Sequence, residues 1–418
     1  REQLDAVTGG HPCLLRRVDG HAAWANSAAL AAAGLDASSP DPAGGEVVRR
    51  ADGTPAGVLI DNAVDLVRAV VPPPGDAEKA AWIRGAAAHC AAHGVTAVHD
   101  AGVSWETAGL IRRLAGAADP AERLPVRWYG MIEDTPASLD AALAAGPLRE
   151  QDGMVTLRAV KLYADGALGS RGALLLRDYS DRPGHRGLAV TSVAHLDSTA
   201  RRAADAGFQV ATHAIGDGAN REVLDLYAAV FAGLPAADRR WRIEHAQIVD
   251  PEDIPRFGAM GVIAAMQPVH CTSDMDWAAE RLGPDRLAGA YAWRSLLDGG
   301  AHVCGGTDAP VELIDPLAGI YAARTRQHAD GTPVGGWQPQ ERLDGPTALR
   351  VATREGAYAA FMEHELGTIR EGFRADLTVL DGDPATCAPE RLLTMGVLLT
   401  VVDGRVVHDG REIAARGR

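Results

Sequence analysis

Short apolar runs rich in β-branched residues alternate along this chain with polar loops and Ala/Leu-rich stretches of helical character. The runs predict strands over residues 94–99, 125–129, 157–163, 208–213, 241–245, 261–266 and 301–305. Between them the pattern predicts helices over 80–92, 107–115, 200–206, 219–232, 251–257 and 287–297. Strands that alternate with helices imply a parallel sheet with helices on its faces. Residues able to do chemistry fall where these strands end: His99, Asp100, Lys161, His213, His245, Gln267 and Asp308. That placement is the rule for a (β/α) barrel. A doubly wound sheet would use one crevice and usually a Gly-rich loop, and no GxGxxG follows a strand here. The expected fold is therefore α/β, a (β/α)8 TIM-type barrel of which seven strands are recognised.

Two stretches leave this rhythm. Residues 10–78 carry LLRRV, a small helix near 25–33, and a Pro/Gly/Asp-rich stretch with GEVVR and GVLI, which suits a subdomain inserted beside the barrel. Past Arg342 a helix is predicted over 346–361, followed by turn-rich β structure. Asp403-Gly404 between two β-branched runs is a hairpin signal. The expected organisation is a barrel over 1–360, with 361–418 contributing to a small β domain.

Composition narrows the function classes. With 418 residues, 47% apolar and 23% charged, the chain can build a large core. Its 41 Lys and Arg against 55 Asp and Glu leave a net charge of −14, and no basic run exceeds two residues. A nucleic-acid or anionic-membrane partner is therefore not expected. No stretch approaches the roughly 18 apolar residues of a membrane span. The five Cys form no CxxC and are widely spaced, which points to a reducing, cytoplasmic compartment. The expected partner is a small-molecule substrate; assembly as a homo-oligomer stays open.

His213, His245 and Asp308, from the ends of separate strands, make a plausible site for zinc or another divalent metal. A cationic lysine is a poor ligand, so Lys161 would neutralise an anion or be chemically converted. His89 and His93 share a helix face but lack the Glu of a zinc-peptidase HExxH motif.

Longer strings then matter: VDGHAAWANSAAL (residues 18–30), VHDAG (98–102), KLYADGALGSRGA (161–173), THAIGDGANREVLD (212–225) and RWRIEHAQ (240–247). MQPVHCTSDM (266–275), GAYAWRSLLDGG (289–300) and GGTDAPVE (305–312) extend the set. Through them the chain closely resembles the amidohydrolase superfamily, in the branch called amidohydrolase family 3, which includes N-substituted formamide deformylases. The resemblance implies a metal-dependent hydrolase on a (β/α)8 barrel with a small β-sandwich. It implies one or two Zn(2+) ions, or another divalent metal, and that Lys161 becomes a carbamate able to bridge two of them. His213 and His245 would be metal ligands, and Asp308 would bind metal and handle the proton of the attacking water. It also implies a first strand with His-x-His, expected upstream of residue 1, since no HxH occurs in this sequence.

The same segments place His21 and His270 in loops at the barrel mouth, for substrate contact or loop hydrogen bonding. His99 at a strand end would support a ligand, and Arg171 in GALGSRG would sit near a substrate oxygen. The expected reaction is hydrolysis of a non-peptide C–N bond, amide or formamide, by metal-activated water. The alternatives are hydrolysis of a small ester or cyclic amide, or a non-catalytic remnant.

Overall fold

The computed structural model describes residues 1–119 and 122–411. After helix Glu2–Thr8 comes an antiparallel sheet of β1 (Leu14–Arg16), β2 (Ala22–Ala25), β3 (Gly45–Arg49) and β4 (Pro55–Asp61), ordered β1-β2-β4-β3. Its inner face packs Val47 and Leu59 on the helices Ser27–Ala32 and Ala63–Arg68, giving this arm its own small core. Asn26 ties the arm together. Its Oδ1 accepts from Ala29 N at 2.8 Å, capping helix Ser27–Ala32, and from Cys13 N at 3.0 Å. Its Nδ2 donates to Thr8 Oγ1 and the His11 carbonyl. Asn26→Ala removes all four bonds from a buried position, so a loss of about 2–3 kcal/mol is expected in urea unfolding. A loss under about 0.5 kcal/mol would mean that the arm melts apart from the rest.

The main sheet holds β5 (Ala97–Val103), β6 (Arg127–Glu133), β7 (Leu148–Arg149), β8 (Val155–Tyr163), β9 (Gln209–Ala214), β10 (Arg242–His245), β11 (Ile263–Met266) and β12 (Val303–Gly305). All but β7 are parallel, and they lie side by side in chain order; β7 pairs antiparallel with β8. These seven parallel strands are the seven expected. Among the described residues no strand pairs with the outer edge of β5 or of β12, and the sheet is an open, curled barrel wall. Burial on both faces explains why β11 reads as a continuous apolar run, and it encloses the polar residues of β8 and β9 as well. The core lies between the strands and their covering helices; fully buried Trp241, for example, packs edge-on against Tyr227 and Phe231, at 4.8 and 5.0 Å.

Several helices differ from expectation. The helix expected over 287–297 is a 3₁₀ turn, Pro284–Gly289, and a short helix, Trp293–Asp298. Tyr291 separates them at φ 53°, held there by its N–H on the Gln247 carbonyl at 2.7 Å. The helix expected over 346–361 breaks at Thr353 into Gly345–Ala352 and Arg354–Ala359. Helices Pro136–Ala145, Pro268–Leu282 and Pro316–Thr325 have no counterpart among the expected elements. Each begins with proline, which fits the first turn because its missing N–H has no intrahelical role there.

The tail forms β13 (Leu377–Leu380), β14 (Val397–Val402) and β15 (Arg405–Asp409), antiparallel in that order. Asp403 and Gly404, at φ 51° and 77°, make the tight turn expected between the last two. The sheet lies on a barrel helix, Asp76–Ala92, with Thr400 Oγ1 donating to the Ala91 carbonyl at 2.6 Å. Among the described residues the second layer of a sandwich is this helix rather than another sheet; residues 412–418 of the expected tail domain lie outside them. Among the described residues, no helix is long and apolar enough to cross a membrane.

Candidate metal centre

Lys161 lies two residues before the end of β8, its side chain buried with Nζ 3.5 Å from the centre of the Tyr163 ring. Burial draws its ammonium down to about 8, so the neutral amine is unusually accessible. On the neighbouring strand His213 is equally enclosed, and its ring meets that of His245, from the end of β10, at 4.6 Å. His245 has φ 76° and Ala246 φ 42°, a turn that takes the backbone off the strand as the imidazole enters the site. His245 Nδ1 lies 2.7 Å from Gln267 Oε1; the amide oxygen only accepts, so Nδ1 carries the proton and Nε2 keeps its lone pair.

His270 and Asp308 complete the cluster. Expected in a loop, His270 sits instead in the first turn of helix Pro268–Leu282, its ring stacked 5.9 Å from that of His245. Its Nε2 is 3.8 Å from Asp308 Oδ2, and Asp308 holds φ 55° just past β12. One ligand atom from each of His245, His270 and Asp308 lies within 4.8 Å of the others. Desolvation lowers His245 to about 3 and His270 to about 4, and pushes His213 well down, so all three rings are neutral near pH 7. Burial raises Asp308, against the opposing pull of His270 and Lys161.

These residues fit a divalent ion. His213 Nε2 and His270 Nε2 are buried without a hydrogen-bond partner, and neutral imidazoles beside carboxylates are a usual donor set for zinc and its neighbours. The nearest carboxylate oxygen to His213 Nε2 is Asp165 Oδ1 at 3.5 Å. Asp165, in the loop after β8, accepts the N–H groups of Leu174, Ile215 and Gly216 at 2.8–3.0 Å, while burial raises it to about 7. The family model described as "Amidohydrolase family" matches residues 1–408.

The chain belongs to the amidohydrolase family. The putative amidohydrolase YtcJ of Bacillus subtilis is 34% identical to it over 98% of this chain and 76% of the relative. The N-substituted formamide deformylase of Arthrobacter pascens is 30% identical over 97% and 74% of the two chains. Among solved structures, an uncharacterized metal-dependent hydrolase from Pyrococcus horikoshii OT3 superposes with TM-score 0.74, at 26% identity over 93% of this chain and 75% of that one. This amidohydrolase is thus a hydrolase of a metal-dependent family.

The remaining expected site residues divide. His21 comes from the arm, not the barrel, and its ring is 4.9 Å from that of His213. His99 is not at the ion cluster. Its Nδ1 accepts from Arg242 at 2.9 Å, in a buried layer that contains the Arg242–Glu244 ion pair. The sequence predicts His99 at a strand end, but β5 runs on to Val103 and leaves it in the third of seven positions, in the layer below the site. Arg171 is engaged by Asp181 through two bonds, at 3.1 and 2.7 Å, and Asp181 also holds Arg281. Asp165 and Asp61 are absent from the expected site, although an Asp-Gly step inside a motif-bearing loop marks the first. Gln267→Leu, which frees His245 to rotate, should weaken metal affinity about 10–100-fold in a metal titration. Unchanged affinity would show that Gln267 does not orient the ring.

Proposed function

We propose that this amidohydrolase cleaves a non-peptide C–N bond, that of a small amide or N-substituted formamide. The observation that carries the reading is the convergence of His245, His270 and Asp308 beside Lys161 and His213 at the strand ends; the relative named as a formamide deformylase suggests the bond type. His213, His245, Asp308 and Lys161 as its carbamate would hold one or two divalent ions, zinc by donor type. When bound, the ion supplies Lewis acidity, acidifying water and polarising the scissile carbonyl.

Asp308 takes a proton from the attacking water as the C–O bond forms, and returns it to the nitrogen as the C–N bond breaks. His21 faces the same space and would contact the substrate, and His270, beside Asp308, would offer its unpartnered Nε2 to the ion or to the substrate; Arg171 keeps the neighbouring loop in place through Asp181. Five free cysteines suit a cytoplasmic location.

The test is metal content by plasma mass spectrometry after purification with zinc and bicarbonate, followed by a panel of formamides, small amides and esters. Near-stoichiometric zinc with hydrolysis of the C–N substrates is expected. Folded protein without metal, or turnover of esters alone, would overturn the reading.

A further inference from the structure

The arm brings to the barrel a dyad that no barrel strand supplies. His21 precedes β2 and Asp61 ends β4, and the ladder joins them through Asp61 N–H on the His21 carbonyl at 2.8 Å. Their side chains meet as well, His21 Nδ1 lying 2.7 Å from Asp61 Oδ1. A carboxylate only accepts, so in the neutral ring the proton is on Nδ1 and Nε2 presents a lone pair. Among the described residues no protein group hydrogen-bonds that Nε2. The ring lies 4.9 Å from that of His213.

Asp61 is fixed from below by the barrel loop. Its side chain is 1% exposed, and Oδ2 has no partner. A Cβ on Gly166 would stand 2.3 Å from Asp61 Oδ2, and one on Gly172 2.4 Å. The two glycines are thus the seat into which the carboxylate fits, and only a residue without a side chain leaves the space.

We infer that His21 is a hydrogen-bond acceptor for the substrate, set in that tautomer by Asp61 as a positioning residue, and that it selects amides carrying an N–H on the scissile nitrogen over N,N-disubstituted ones. The inference rests on the amide-hydrolase reading above and names the substrate class within it. Asp308 remains the carrier of the proton; His21 grips the N–H that is already present and keeps the nitrogen in line.

Nitrogen-15 NMR of the full chain, labelled at histidine, tests the tautomer without turnover. The expected His21 spectrum is pyrrole-type at Nδ1 and pyridine-type at Nε2, shifting toward the Nε2–H form in Asp61→Ala. An Nε2–H form in the unaltered protein would overturn the inference. So would a coordination shift of Nε2 on adding zinc, which would make His21 a ligand. In kinetics with zinc-loaded enzyme, the N-monosubstituted member of a matched amide pair should be preferred about tenfold or more. His21→Ala and Asp61→Ala should abolish the preference by slowing that substrate alone, and His21→Gln, which keeps an acceptor, should restore part of it. A ratio unchanged in His21→Ala would sink the inference. Failure of every amide would instead sink the functional reading, while the tautomer measured by NMR would still stand.

Discussion

Asp308→Asn lowers kcat/KM on the small-amide substrate by about 10²–10⁴-fold, with the loss mainly in kcat. The carboxylamide keeps the size and one acceptor oxygen but cannot accept the water's proton. Position 308 is also fixed by its neighbours: His270 Nε2 is 3.8 Å away, and the backbone at φ 55° holds the side chain past the end of β12. Metal content measured on the same sample separates two causes. Retained metal with lost turnover means a proton-transfer defect, whereas joint loss means that the carboxylate is chiefly a ligand. Activity within about tenfold of the unaltered enzyme would remove Asp308 from the mechanism.

The tail depends on a different aspartate. Arg127, on β6, is buried at the bottom of the sheet, and its guanidinium takes both oxygens of Asp376 at 2.6 and 2.9 Å. A further bond reaches Asp403 at 3.0 Å, and Asp403 N–H returns to Asp376 at 2.9 Å. This knot anchors the β13–β15 sheet to the barrel at the turn that joins β14 to β15. Asp376→Ala takes the two-oxygen partner from a buried guanidinium, leaving it Asp403 and the Asp152 carbonyl, and should cost about 3 kcal/mol in urea unfolding. If that variant does not fold, the pair Arg127→Met with Asp376→Leu provides the control: removing both charges should recover most of the loss. A cost under about 1 kcal/mol would mean that Asp403 and the Asp152 carbonyl suffice for Arg127.

How much of this is visible in the sequence depends on the type of element. The seven parallel strands are legible in number and order because each is a short β-branched or apolar run set between helical stretches, the clearest being the fully buried β11. The helices that begin at Pro136, Pro268 and Pro316 are not, since a proline reads as a break until the turn before it is known. That ambiguity moves His270 from helix to loop and hides how close it comes to Asp308. Lys161, His213, His245 and Asp308 can be singled out one by one from strand-end positions. Their mutual distances cannot, because each side chain enters the site from a different strand. Asp61 is illegible for another reason: its role depends on Gly166 and Gly172, over a hundred residues downstream, which the sequence presents as an ordinary glycine-rich loop.

That same separation sets a timetable for synthesis. His21 and Asp61 emerge from the ribosome before the barrel loop and can pair within their own small sheet, yet the glycine seat for Asp61 lies 105 residues later. At roughly 5–20 residues per second the arm waits about 5–20 s before its seat is made. Until then the carboxylate of Asp61 lacks its seat, while the chain order of the parallel strands lets each one that follows find its neighbour already made.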